Sequence, residues 1–243
     1  MPSHIRLGFF AALGAYGIWG LLPLYFKVMA HITPDLMLVH RILWSVPTGV
    51  LLLAVAGHLG AFRDIANVRR VAWLAVSATL IGANWFVYIW AVGEGRVLEA
   101  SLGYYINPLV NVAIGAAFLS ERLSRPQWLA VGLASVGVLI MAFALGQPPF
   151  VSLFLCFSFA GYSLIRKQVA VDGRAGFVVE AALLFPFAAI WLSQLNASGT
   201  AVWGTGEISD VLLLIAAGPI TAFPLILFAM AARRLKLATV GMM

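Results

Sequence analysis

The sequence predicts an all-α integral membrane protein built from inverted repeats of five transmembrane helices, with eight spans present. Three observations lead there. Of 243 residues, 63% are hydrophobic and only 10% charged, whereas a soluble domain carries about 25% charged residues. Mean hydropathy is +1.00. The apolar residues also fall into stretches of about 20, the length that crosses a bilayer as a helix. So few charges cannot coat a water-facing surface, and lipid is the expected solvent. The formal charge of +6 is therefore a matter of membrane orientation rather than of nucleic-acid binding.

The spans are expected near Leu7–Phe26, Leu36–Ala56, Val71–Val92, Ala100–Leu119, Gln127–Leu145, Phe150–Ile165, Phe177–Leu195 and Val211–Ala232. The first is too long for the core of a cleavable signal peptide and lacks a small-residue cleavage pattern, so it reads as a true span. Most connections are brief, which makes consecutive helices antiparallel neighbours. Between the fourth and fifth spans, Ser124, Pro126 and Gln127 have the spacing of a helix start: a cap, a first-turn proline and a capping-box glutamine. The sixth span is the shortest. Cys156, the single cysteine, lies in an apolar run and reads as a small packed hydrophobe.

Charge sets the orientation. The N-terminus and the loops after even-numbered spans hold Arg6, Arg63, Arg69, Arg70, Arg122, Arg125, Arg166, Lys167, Arg174, Arg233, Arg234 and Lys236, whereas the loops after odd-numbered spans hold Lys27 and Arg96. Twelve against two places the N-terminus in the cytoplasm. Arg41 remains inside the second span.

Three weak self-matches recur at nearly one offset. "ASLGYY" at Ala100 pairs with "ATVGMM" at Ala238, "WGLLPLYFK" ending at Lys27 pairs with "FAGYSLIRK" ending at Lys167, and Pro47 pairs with Pro186. Five helices per unit is an odd number, so the second unit is inverted, a common transporter plan with the substrate site near the midplane. The units are residues 1–146 (spans one to five) and 147–243 (spans six to eight). On this reading two further spans, some fifty residues, are expected beyond Met243.

The stretches "YGIWGLLPLYFK", "HRILWS", "GANWFVYIWAV", "LEASLGYYINPLVN" and "SERLSRPQWLAV" resemble the RarD branch of the EamA family, within the drug/metabolite transporter superfamily. The resemblance implies ten helices in two inverted repeats, a bacterial inner-membrane location, and carrier transport of small organic solutes.

The fourth span is the polar one. Glu99, Gly103, Asn107, Asn111 and Tyr104 share a face about 140° wide. Pro108 cannot donate to the Tyr104 carbonyl, which leaves a spare acceptor on that side. Asn84 and Tyr88 share a face of the third span, and Asn84 and Asn107 reach similar depth, roughly 13 Å from the outer end for Asn84. Trp85 and Trp90 offer aromatic walls, Trp90 also standing where an interfacial anchor would. Two readings stay open: a lined cavity, or asparagines joining packed helices. On the first, Asn84, Tyr88, Tyr104, Asn107 and Asn111 line a solute site whose uncharged amides suit a neutral or zwitterionic organic substrate. Arg41 and Glu99 are both shallow on the outer side and are expected to form an intramembrane ion pair, which would lower the cost of each. Glu180 has inner-face partners such as Arg166 or Arg234. His40 reads as packed.

An enzyme would need a nucleophile–base or metal-ligand set. The chain has no HExxH, GxSxG or CxxC, and His4, His31, His40 and His58 do not cluster. No catalysis, metal site or cofactor is expected. The expected partners are a small organic solute and the lipid bilayer, with no nucleic acid. A coupling ion such as a proton is left open. The competing readings are a non-transporting structural or sensory membrane subunit, and an inactive fragment of a transporter.

Overall fold

The computed structural model describes residues 3–65, 67–121, 123–146, 148–199 and 207–241. Arg122 of the charge count, and Met242 and Met243 of the repeat, lie outside them. Among the described residues the elements are helical: α1 (Ser3–Val28), α2 (Pro34–Val55), a 3-10 turn (Leu59–Ile65), α3 (Val68–Gly93), α4 (Val97–Leu119), α5 (Arg125–Leu145), α6 (Phe150–Gln168), α7 (Gly173–Ala197), α8 (Ile208–Arg234) and a short α9 (Leu237–Gly241). The first eight α-helices are long and apolar enough to cross a membrane. They coincide with the expected spans, and α6 runs three residues further than expected, to Gln168. The 3-10 turn was not foreseen.

Local chemistry sets the ends. The Asn67 side chain accepts from the amide of Arg69 at 2.9 Å and so starts α3. Asp172 accepts from Arg174 and Ala175 at the start of α7. Such caps satisfy amides that the first helical turn leaves without partners. Gln127 accepts from the Ser124 amide at 2.9 Å, the reciprocal arm of the expected capping box. Ser120 ends α4 in a left-handed conformation, φ 52°.

The helices are arranged across the sequence rather than along it. α1 packs chiefly on α8, α2 on α7 and α8, α3 on α6 and α7, and α4 on α6 and α9. Exchanging α1 with α6, α2 with α7 and α3 with α8 converts the α1–α8 contact into α6–α3 and the α2–α8 contact into α7–α3, both of which exist. The main contacts are thus symmetric under exchange of α1–α3 with α6–α8. α5 leans on α4 and otherwise presents apolar side chains outward, Phe143 being 82% exposed. A large exposed apolar surface is unstable in water and natural in lipid.

The interior is aromatic. Phe159, Tyr162 and Phe228 stack with centroids 5.2–6.2 Å apart, and Trp19 leans on Phe159 and Phe228. Close backbone approach supplies the rest. A Cβ at Gly218 would stand 2.4 Å from the Trp44 carbonyl oxygen, so only glycine lets α8 reach α2 there. Pro219 and Pro224 lie in the same part of α8 and remove two donors from its ladder.

Candidate solute cavity

A cavity of about 460 Å³ opens between α1, α2, α3, α4, α6 and α8. Trp19, Phe26, Trp85 and Phe159 give it aromatic walls. Tyr88 and Tyr104 meet edge to face, centroids 5.7 Å apart, and close one side. Asn84 and Asn107 supply amides, and Pro108 lines the wall beside Tyr104. A mostly apolar pocket with a few converging polar groups is the usual form of a small-molecule site.

Of the five residues expected to line a site, the structure places Asn84, Tyr88, Tyr104 and Asn107 on the cavity wall and Asn111 behind it. Asn111 is fully buried and donates to the Asn107 side-chain oxygen at 2.6 Å, while its own oxygen has no partner among the described residues. The amides also join helices. Asn84 donates to the Leu155 carbonyl and the Ser158 hydroxyl at 2.8 and 2.9 Å, and Asn107 to the Cys156 carbonyl at 3.3 Å. The two open readings thus coexist: the same asparagines tie α3 and α4 to α6 and face the cavity. Gly103 makes that approach feasible, since a Cβ there would stand 2.8 Å from the Ser152 carbonyl oxygen.

The expected ion pair is not formed. The Glu99 carboxylate is taken by Arg96, one turn away, through contacts of 2.7 and 2.8 Å. Those hydrogen bonds hold the Arg96 guanidinium above its ordinary pKa, and Arg96 also covers the exposed Trp90 ring at 5.3 Å. A neighbour three residues away on the same helix needs no tertiary fit to arrive, and this wins over the more distant arginine. Arg41 turns into the cavity. It donates from Nε to the Thr221 hydroxyl at 3.0 Å and lies 4.9 Å from the Trp85 ring and 5.8 Å from the Phe26 ring. Equal depth indicated that Arg41 and Glu99 could meet; depth alone does not say which way around its helix each one points.

Two ion pairs gather at the end of the bundle where α6 finishes and α7 begins. Arg166 meets Glu180 at 3.5 Å, Ser77 donates to Glu180 at 2.6 Å, and Arg166 donates to the Gly173 carbonyl. Nearby, Glu121 accepts from the amides of Leu237 and Ala238 and pairs with Lys167 at 3.3 Å. Lys167 donates to the carbonyls of Ala232 and Leu235 as well. Sequence reasoning passed over Glu121. Its signal was a carboxylate directly after the end of an apolar helix, in "LSERLS". His40 is packed, accepting from the Trp44 indole.

The profile of the EamA-like transporter family matches residues 6–143. The chain belongs to that family. It is a multi-pass membrane transporter of the drug/metabolite superfamily, RarD-like in sequence. It is 46% identical over 240 residues to Protein RarD of Escherichia coli (strain K12), covering 98% of this chain and 81% of that one. It is 42% identical over 241 residues to an "Uncharacterized transporter" of Vibrio cholerae, covering 97% and 78%. A solved structure titled "Crystal structure of protein" superposes with a TM-score of 0.70 at 18% identity, over 99% of this chain and 83% of that one. That likeness concerns the fold.

Proposed function

We propose that the chain is part of a secondary carrier for small organic solutes in the bacterial inner membrane, with the N-terminus cytoplasmic and without catalytic activity of its own. The observation that carries this reading is the cavity at spanning depth, walled by aromatic rings and by the amides of Asn84 and Asn107. Residues 1–146 and 147–243 act as the two repeat units, and the site lies between them, as repeat architecture favours. The inner end is held shut by Arg166–Glu180 and Lys167–Glu121, which makes this an outward-open arrangement on the proposed orientation. Tyr88, Tyr104 and Asn107 contact solute, and Asn111 positions Asn107 through its 2.6 Å hydrogen bond.

The test is counterflow in proteoliposomes with labelled aromatic solutes of three kinds: neutral, zwitterionic and anionic. Asn107→Leu keeps a similar volume and removes the amide. Uptake is expected to fall while the variant still inserts and stays monodisperse in detergent. Unchanged uptake, or a variant that only misfolds, would assign Asn107 to packing against the Cys156 carbonyl and remove the main support.

A further inference from the structure

The cavity wall carries a net positive charge, and among the described residues no carboxylate lines it. Arg41 is the sole charged residue on its wall among the described residues, and it is only 8% exposed. A guanidinium stays protonated in proteins and offers five donors in a planar fork. Here only Nε is used, on Thr221; among the described residues, neither Nη1 nor Nη2 has a hydrogen-bond partner and no carboxylate pairs with the group. Glu99, expected from the sequence to pair with it, meets Arg96 instead. Charges at spanning depth are costly and ordinarily find partners or face a water-filled cavity. The Trp85 and Phe26 rings flank the cation. They hold the guanidinium by cation–π attraction and leave its Nη edge as the part still needing acceptors.

We infer that Arg41 is the head-group site of the cavity and that the transported solute is an organic acid bearing one carboxylate. This inference rests on the cavity reading above and narrows it. A carboxylate matches the fork in a bidentate, charge-assisted way. A single cation balances a single negative charge, whereas a phosphate monoester near neutral pH brings close to two. Among the described residues the wall holds no acid to receive an ammonium group, so a net anion fits better than a zwitterion. The aromatic rings then take the apolar body. The neutral or zwitterionic substrate expected from the sequence was argued from the uncharged amides alone, with no cation on the wall. With Arg41 on the wall, the charge requirement moves to an anion.

The experiment compares phenylacetate with its isosteric amide, phenylacetamide, and with phenylalanine, binding to the purified chain in an uncharged maltoside detergent. The readout is the ligand-dependent rise in melting temperature, converted to an apparent Kd. Phenylacetate is expected to bind about 10- to 100-fold more tightly than the amide, the range for hydrogen bonds to a charged group, and more tightly than phenylalanine. Arg41→Gln should weaken acid binding far more than amide binding and so abolish that preference. Arg41→Lys, which keeps the charge and loses the fork, should retain part of it.

Equal binding of acid and amide by the unaltered chain would overturn the proposal, and this comparison holds whatever the variants do. So would a preference that survives Arg41→Gln, or no binding of phenylacetate at all. A further arm adds phosphatidylglycerol micelles. If these stabilise the chain through Arg41 and phenylacetate does not, the site belongs to a lipid phosphate and the proposal fails. Asn107→Leu separates this inference from the cavity reading. If it weakens acid and amide alike while Arg41→Gln affects neither, the cavity stands and the charge assignment falls. If neither substitution matters, the cavity reading falls as well.

Discussion

Neutralising Glu180 should be among the most damaging single changes available to this fold. Its carboxylate and the Arg166 guanidinium are 3% and 2% exposed, so neither can turn to water when the other is lost. Glu180→Gln keeps an oxygen for the Ser77 hydroxyl, now 2.6 Å away, and removes only the charge. Removing one partner of a buried ion pair costs about 3–5 kcal/mol, because the remaining charge is left uncompensated. Two features favour the lower end of that range: the pair is long, at 3.5 Å, and Arg166 keeps the Gly173 carbonyl at 2.8 Å. About 3 kcal/mol is therefore expected. The double variant Arg166→Met/Glu180→Leu should return to within about 1 kcal/mol of the starting protein, since apolar groups of similar volume commonly replace such pairs without loss. Equilibrium unfolding by SDS in mixed micelles, followed by tryptophan fluorescence, measures both. A Glu180→Gln cost below about 1 kcal/mol, or a double variant no more stable than the single one, would refute the reasoning.

Two further predictions concern the same end of the molecule. Glu121→Ala removes the Lys167 contact and two amide hydrogen bonds at α9, and should cost about 2–4 kcal/mol; Glu121→Gln should cost less in the same unfolding measurement, and equal losses would deny the charge a role. For orientation, cysteines placed singly at Arg70 and Arg234 should resist an impermeant thiol reagent on intact cells and react in inverted vesicles, and native Cys156, fully buried, gives no background. Labelling from outside at either position would reject a cytoplasmic N-terminus.

What the sequence made legible was whatever depends on one helix at a time. Span lengths follow from the thickness of hydrocarbon, so eight of them could be read from hydropathy, and the start of α5 from Ser124 and Gln127. The Arg166 partner of Glu180 was half accessible: the sequence offered it together with Arg234, both near the same end of the bundle, and the structure selects Arg166. Contacts that depend on rotation about a helix axis were not. Arg41 and Glu99 agree in depth, yet one points into the cavity and the other toward Arg96. Asn111 shares a helical face with Asn107 and still sits behind it, because α9 and α4 press together there, with a Cβ at Gly241 only 3.0 Å from that of Asn111. Glu121 was missed for a similar reason: its acceptors are used by amides 116 and 117 residues away.

The pairing of α1 with α8 has a consequence for how the protein is made. About 180 residues separate the end of α1 at Val28 from the start of α8 at Ile208. At ribosomal speeds of about 5–20 residues per second, α1 waits in the bilayer for about 9–36 s before its main neighbour is synthesised. During that time the Tyr16 hydroxyl, which in the finished fold donates to the Val240 carbonyl at 2.8 Å, has no such acceptor. The helix must therefore tolerate lipid on every side, and its outward Phe10, Leu13 and Leu21 suit it to that wait. Substitutions that add polarity to the α8-facing side of α1 would act first on biogenesis, as clearance of a stranded helix, before any effect on transport could be expressed.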